Sequence, residues 1–197
     1  MAFHGEIVIT STASQSDVSD QFLVAKVVSA QDTAAYGELI RRHQSQVRNF
    51  LRKLTGDISS ADDLAQDCFL HAWNKLQTFT GRGSFIGWLL KVAYTTFLQS
   101  KRKSKRYAEI LDEAGYVAQT EARSYTPQAD EISDLDKLLA VLTEDERAIM
   151  ILSYACGLSH REISGATGLP VGTVKSVIFR GKEKIRKSFD IKDNQYG

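Results

Sequence analysis

The chain is poor in the residues that build strands, staples and membrane spans. Of its 197 residues only two are proline and two are cysteine. Cys68 and Cys156 stand far apart and form no CxxC or other metal spacing, so they read as reduced thiols of a cytoplasmic protein. No stretch approaches the ~18–20 consecutive apolar residues of a membrane span, and membrane insertion is not expected. The N-terminus has no basic start followed by an apolar run, which excludes a secretory signal. β-branched runs punctuated by turn residues are scarce, which argues against a sandwich or barrel and for helices. Gly81-Arg82-Gly83 lacks the G-x-x-x-x-G-K-[ST] spacing of a phosphate loop. His4, His43, His71 and His160 fall in no metal or triad arrangement, and the Cys68/His71 pair is incidental. Neither a catalytic site, a metal site nor a cofactor is expected.

The rest is the composition of a globular protein: 43% hydrophobic, 25% charged and a net charge of +1. That small net charge conceals segregation. Positions 101–106 read KRKSKR, positions 107–146 hold eleven acidic and two basic residues, and positions 148–187 hold seven basic and two acidic. Two basic patches separated by an acidic stretch suit a chain that touches a polyanion at two places, although charge runs are more often simply solvated faces.

Periodicity divides the chain into two helical modules. Residues 1–20, rich in Ser, Thr and Gln, read as a tail. From Phe22 the pattern is helical, and Tyr36, Leu39, Ile40, Val47, Phe50, Leu51 and Leu54 form one apolar stripe. Gly56-Asp57 ends that helix, and Ser60 with Asp63 is expected to cap the next. The second stripe runs through Leu64, Ala65, Cys68, Phe69, Ala72, Trp73 and Leu76. A third helix is expected from Ser84 to about Arg102, which closes a first module over 21–106. Residues 107–130, with Thr126-Pro127, read as a flexible linker, 131–190 as a second small helical domain and 191–197 as a C-terminal tail. The expected class is all-α: two small helical domains, the second with a helix-turn-helix.

That motif is the sharpest local signal. Ser159-His160-Arg161-Glu162 is a capping box that opens a short helix, Gly168 breaks it, and Leu169-Pro170-Val171-Gly172-Thr173 starts another. Val174, Ile178, Gly181 and Ile185 share one face of the new helix; Thr173, Lys175, Ser176, Phe179, Arg180 and Lys182 lie on or beside the other. Such a unit seats side chains in the major groove. Arg and Lys there hold phosphates or guanine edges, Ser and Thr bond to either, and Phe179 suits a thymine methyl. The plainer reading is a helical hairpin with a solvated basic face.

The strings LTEDERAIMILSYACGLSHREI and LPVGTVKSVIFRGKEKI resemble the promoter-binding C-terminal region of extracytoplasmic-function (ECF) sigma factors. Less closely, they resemble the output domain of LuxR-type regulators, which would make the chain a stand-alone transcriptional regulator. The front half decides for sigma, because it is helical where a LuxR-type regulator carries a receiver or sensor domain. Its segment Ala61 to Trp73 (ADDLAQDCFLHAW) resembles the sigma element that binds the clamp helices of the β' subunit of core RNA polymerase. Asp63, Gln66, Asp67 and Leu70 lie opposite the apolar stripe, an acidic face with one apolar residue that suits a basic partner helix. The polymerase-binding set implied by the resemblance is Asp62, Asp63, Gln66, Asp67, Leu70 and Asn74.

The helix SFIGWLLKVA with KRKSKR at its end resembles the sigma segment that opens and reads the minus-ten element. Strand separation needs aromatic surfaces for extruded bases and cations along the displaced strand. Trp88, Tyr94 and Phe97 could supply the first, although Trp88 shares a stripe with Phe85, Leu89 and Val92 and by periodicity belongs to the core. Lys101, Arg102, Lys103, Lys105 and Arg106 supply the second. The preceding loop, which captures a flipped base in the family, is Phe79-Thr80-Gly81-Arg82-Gly83 here. The minus-ten set is therefore Phe79, Thr80, Arg82, Trp88, Tyr94, Thr95, Lys101, Arg102 and Lys103. The minus-thirty-five set is Arg161, Thr173, Lys175, Ser176, Phe179, Arg180 and Lys182. The sequence departs from the family at Tyr94, Thr95 and Gln99, where an Arg-Asn pair and an Asp are common, and at Val177, where an arginine is common; a DNA contact is expected to be missing there. The resemblance further implies promoter DNA and an anti-sigma factor as partners.

Overall fold

The computed structural model describes residues 18–113 and 134–189, with side chains through 110 in the first stretch. Residues 1–17, the linker beyond 113 and the C-terminal tail lie outside the described residues. All described elements are helical, so the expected all-α class holds.

The first module is built on α1 (Asp20–Ala30), α2 (Thr33–Thr55), α3 (Ile58–Lys75) and α4 (Phe85–Glu113). Ser19 caps α1 by accepting from the Phe22 N–H, and α1 ends where Gln31 turns into the left-handed region at φ 50°. Asp32 then caps α2 through the Ala35 N–H. The predicted α2 stripe is the core: Leu39, Val47, Phe50, Leu51 and Leu54 are all buried, each worth about 1.5–3 kcal/mol of transfer free energy. The expected cap of α3 was displaced. Asp57, not Ser60, accepts from the Ser60 N–H at 2.9 Å, so α3 begins at Ile58. A carboxylate three residues ahead of a free N–H competes better than the serine hydroxyl, which itself donates to Asp57. A short 3-10 turn, Leu76–Thr78, leads to the loop before α4. The 29-residue α4 continues seven residues past position 106, where the charge pattern suggested the module's end. At roughly 1.5 Å per residue it is about 43 Å long.

The second module comprises α5 (Asp134–Ala140), α6 (Glu144–Met150), α7 (His160–Thr167) and α8 (Val171–Ser188). α6 opens on a capping box, Thr143 with Glu146, and continues through a π-helical turn over Ile151–Ala155. The buried Arg147 fixes the α5–α6 corner, its guanidinium donating to the carbonyls of Leu139 (3.1 Å) and Leu142 (3.2 Å). α7 opens on the predicted Ser159–Glu162 box and stops at Gly168, φ 77°. Gly181 lets α8 press onto α6, since a Cβ there would stand 3.1 Å from the Met150 sulfur.

The modules touch. α4 packs against α7, and α2 against α6 and the turn that follows it. Gln46 Nε2 donates to the Cys156 carbonyl at 3.2 Å.

Candidate nucleic-acid and partner interfaces

The helical repeat places Asp63, Gln66, Asp67, Leu70 and Asn74 on one exposed face of α3. Leu70 is 64% exposed among these polar residues. Asp62 departs from the expectation. Its carboxylate accepts from Arg48 at 2.7 Å and lies 3.6 Å from Arg52, so it ties α3 to α2 instead of standing as an open acidic contact. Behind the face, His71 Nδ1 meets the Thr96 hydroxyl at 3.0 Å, which anchors α3 to α4.

The minus-ten candidates divide into three kinds. Thr80, Arg82, Arg102 and Lys103 are exposed. Phe79 and Trp88 are half-buried in an aromatic cluster. The Phe79 and Phe85 rings meet edge to face with centroids 5.5 Å apart, and Trp88 stacks on Phe85 at 5.6 Å. Trp88 thus anchors the start of α4, as its stripe predicted, while keeping part of its indole open. Tyr94 and Phe97 are corrections. Phe97 is fully buried, and Tyr94 is 6% exposed with its ring 6.5 Å from that of Phe97. The period that exposes Lys91 and Gln99 turns both rings inward, and the second module closes over Tyr94. The Tyr94 hydroxyl donates to Asp145 at 3.4 Å, and burial first, then Asp145, pushes it up to about 12. Neither ring offers a stacking surface here. Thr95 is half-buried and donates to the Lys91 carbonyl at 2.8 Å. Lys101 Nζ pairs with Glu144 at 3.0 Å, above the Phe97 ring.

On α8 the expectation holds throughout. Thr173, Lys175, Ser176, Phe179, Arg180 and Lys182 are all exposed, as is Arg161 on α7. Phe179, at 67%, is the most open large apolar side chain of the described residues. Gly168 sets the angle between α7 and α8; Pro170 directly precedes α8 and supplies no N–H where none would be bonded. Val177 is the other correction. At 8% exposure it belongs to the module's core, so its identity reflects packing and removes no outward DNA contact.

Three carboxylates escaped the sequence reading. Glu144, Asp145 and Glu162 meet Lys101, Tyr94 and Ser84; Ser84 Oγ donates to Glu162 at 2.6 Å. That hydroxyl first, then the Ser159 N–H, holds the Glu162 carboxyl below its usual range. The acidic stretch was visible in the charge pattern, but partners 40 to 80 residues away leave no local signal.

Comparison with known proteins follows the same division. The Sigma-70 region 2 family model matches residues 39–107, and the Sigma-70, region 4 model matches residues 132–185. The chain is 30% identical over 179 residues to the ECF RNA polymerase sigma-E factor of Haemophilus influenzae, covering 85% of this chain and 94% of that one. It is 27% identical over 175 residues to the ECF RNA polymerase sigma factor RpoE of Cereibacter sphaeroides, covering 88% and 97%. With the ECF sigma factor SigE of Mycolicibacterium smegmatis it shares 30% identity over 77% of this chain, but spans only 60% of that protein. Among solved structures it resembles the sigma factor RpoE of Bartonella quintana in complex with the anti-sigma factor NepR, with TM-score 0.63, 26% identity and coverage of 79% and 97%. CnrH, solved with the cytosolic domain of CnrY, shares the fold at TM-score 0.63 and 24% identity, covering 87% and 97%.

Proposed function

Because the chain belongs to the extracytoplasmic-function sigma factors of bacterial RNA polymerase, we propose that it docks on the polymerase through α3 and reads promoter DNA with α4 and α8. The family consists of initiation factors and not enzymes; the polymerase performs the chemistry and this chain supplies the choice of start site. The exposed face of α3, with Leu70 at its centre, meets the basic clamp helices of the β' subunit. Charge sets the orientation, and burial of the leucine adds affinity. The loop Phe79–Gly83, the open edge of Trp88 and the cations Lys101, Arg102 and Lys103 receive the minus-ten strand. The α8 residues from Thr173 to Lys182, with Arg161, enter the major groove at the minus-thirty-five element. In domain terms, 18–113 acts as the melting and docking unit and 134–189 as the duplex reader. An anti-sigma factor holds the chain inactive until a signal releases it, by likeness to the Bartonella sigma factor solved with NepR.

The observation that carries this reading is that the two matched regions coincide with the two elements whose polar faces stay open, α3 and α8. A stand-alone LuxR-like regulator is not favoured, because its front domain would not match sigma region 2. Co-elution with core polymerase and a duplex gel shift test the proposal together. The chain should co-elute with core and bind duplex weakly alone. A dimer that shifts paired half-sites without polymerase, and ignores core, would reverse it.

A further inference from the structure

Lys101, Tyr94 and Ser84 lie along one side of α4 and at its start, the surface read above as the minus-ten interface; the inference rests on that reading. Each meets a carboxylate oxygen of the second module: Lys101 Nζ that of Glu144 at 3.0 Å, the Tyr94 hydroxyl that of Asp145 at 3.4 Å, and the Ser84 hydroxyl that of Glu162 at 2.6 Å. Glu144 and Asp145 form the first turn of α6, and Glu162 the first turn of α7. Gly87 makes room for the third contact, since a Cβ there would stand 3.2 Å from Glu162 Oε1 and 2.9 Å from Ser84 Oγ. The Gln46 bond to the Cys156 carbonyl adds a fourth tie between the modules.

We propose that the free chain masks its own minus-ten surface: the acidic first turns of α6 and α7 occupy the positions that the phosphates and extruded bases of the promoter strand must reach. A carboxylate and a phosphate oxygen ask the same of a lysine or a hydroxyl, namely a cation or a donor at hydrogen-bond distance. The masking is selective. The α3 face and the reading face of α8 stay exposed, so a closed chain can still be recognised by polymerase while its first module refuses single-stranded DNA. The closure is also shallow. The Lys101 and Glu144 side chains are 44% and 41% exposed, and an exposed pair of this kind shifts an equilibrium by only about two- to fivefold. Three such contacts together hold the chain closed by roughly tenfold, which a partner that seats the modules apart easily overcomes.

The test is carried out on the full chain bearing E144Q, D145N and E162Q. Gln keeps the α7 capping box, because its amide oxygen still accepts from Ser159. A charge-matched control carries E109Q, D134N and E183Q, which lie off the contact. Small-angle scattering reads closure, and anisotropy of a fluorescein-labelled oligo(dT) 20-mer reads access to the strand surface. The expected result is a larger radius of gyration and about tenfold tighter oligonucleotide binding for the first variant, with the control within about twofold of the parent in both. Tighter binding without expansion assigns the gain to charge and overturns closure. Expansion without tighter binding, or no oligonucleotide binding by either chain, overturns masking. If the expansion and the gain occur in a chain that fails to co-elute with core polymerase, the sigma reading falls and the mask stands.

Discussion

At the scale of single residues, burial separates side chains that act outward from those that hold the fold. Leu70 has little to hold, so L70D should leave the melting temperature within about 1 °C of the parent while weakening core binding about tenfold or more, the effect of losing one central apolar anchor. A thermal melt and a core-binding titration read the two arms, and a matching loss of stability would mark Leu70 as structural. Phe179 behaves likewise on α8. F179A should lower minus-thirty-five-dependent transcription about tenfold, in line with the ~1–3 kcal/mol of one good base contact, and leave core affinity unchanged. Glu38 acts inward. The Arg41 and then the Arg42 hydrogen bonds lower its carboxyl from 4.5 to about 2. A depressed folded-state value means that its contribution is fully present above pH 4.5 and fades as the pH falls toward about 2. The parent should therefore lose more melting temperature than E38Q between pH 5 and pH 3; parallel curves would remove the pair from the stability account.

At the scale of elements, local chemistry decided what could be read ahead of the structure. The α7–α8 unit was legible because each signal lies within a few residues of its effect: Ser159 and Glu162 close one helix end, and Gly168 takes the left-handed turn at the other. G168A should cost about 1–2 kcal/mol and displace α8 relative to α7, seen as a lowered melting temperature and a larger loss of duplex binding; an unchanged protein would show that the turn does not depend on φ. Elsewhere the local signal misled. Asp57 took the cap expected of Ser60, since the search looked for a hydroxyl and a carboxylate lay just upstream. The end of α4 was placed at the change of charge near 106, yet seven more residues remain helical. A basic run becoming an acidic one does not interrupt i to i+4 hydrogen bonding, and no Gly or Pro stands there to do so.

At the scale of the molecule, the candidate surfaces were legible as helix faces while their accessibility was not. Periodicity placed Trp88 in a core stripe and exposed the reading face of α8. It could not show that Tyr94 would be sealed by Asp145 from another module, or that Val177 would turn inward, because those outcomes depend on which elements meet. The same contacts explain how one chain carries two DNA-reading surfaces with a net charge of only +1: its acids are gathered at the edge that folds back over α4. The central claim is that this chain gives core polymerase a choice of start site, and mapping transcript 5′ ends tests it most directly. Core enzyme alone and core with the protein would transcribe the same fragmented genomic DNA. The account predicts a new set of 5′ ends that share upstream elements near minus ten and minus thirty-five, lost together in L70D and thinned in F179A. Identical 5′ ends with and without the protein would contradict it.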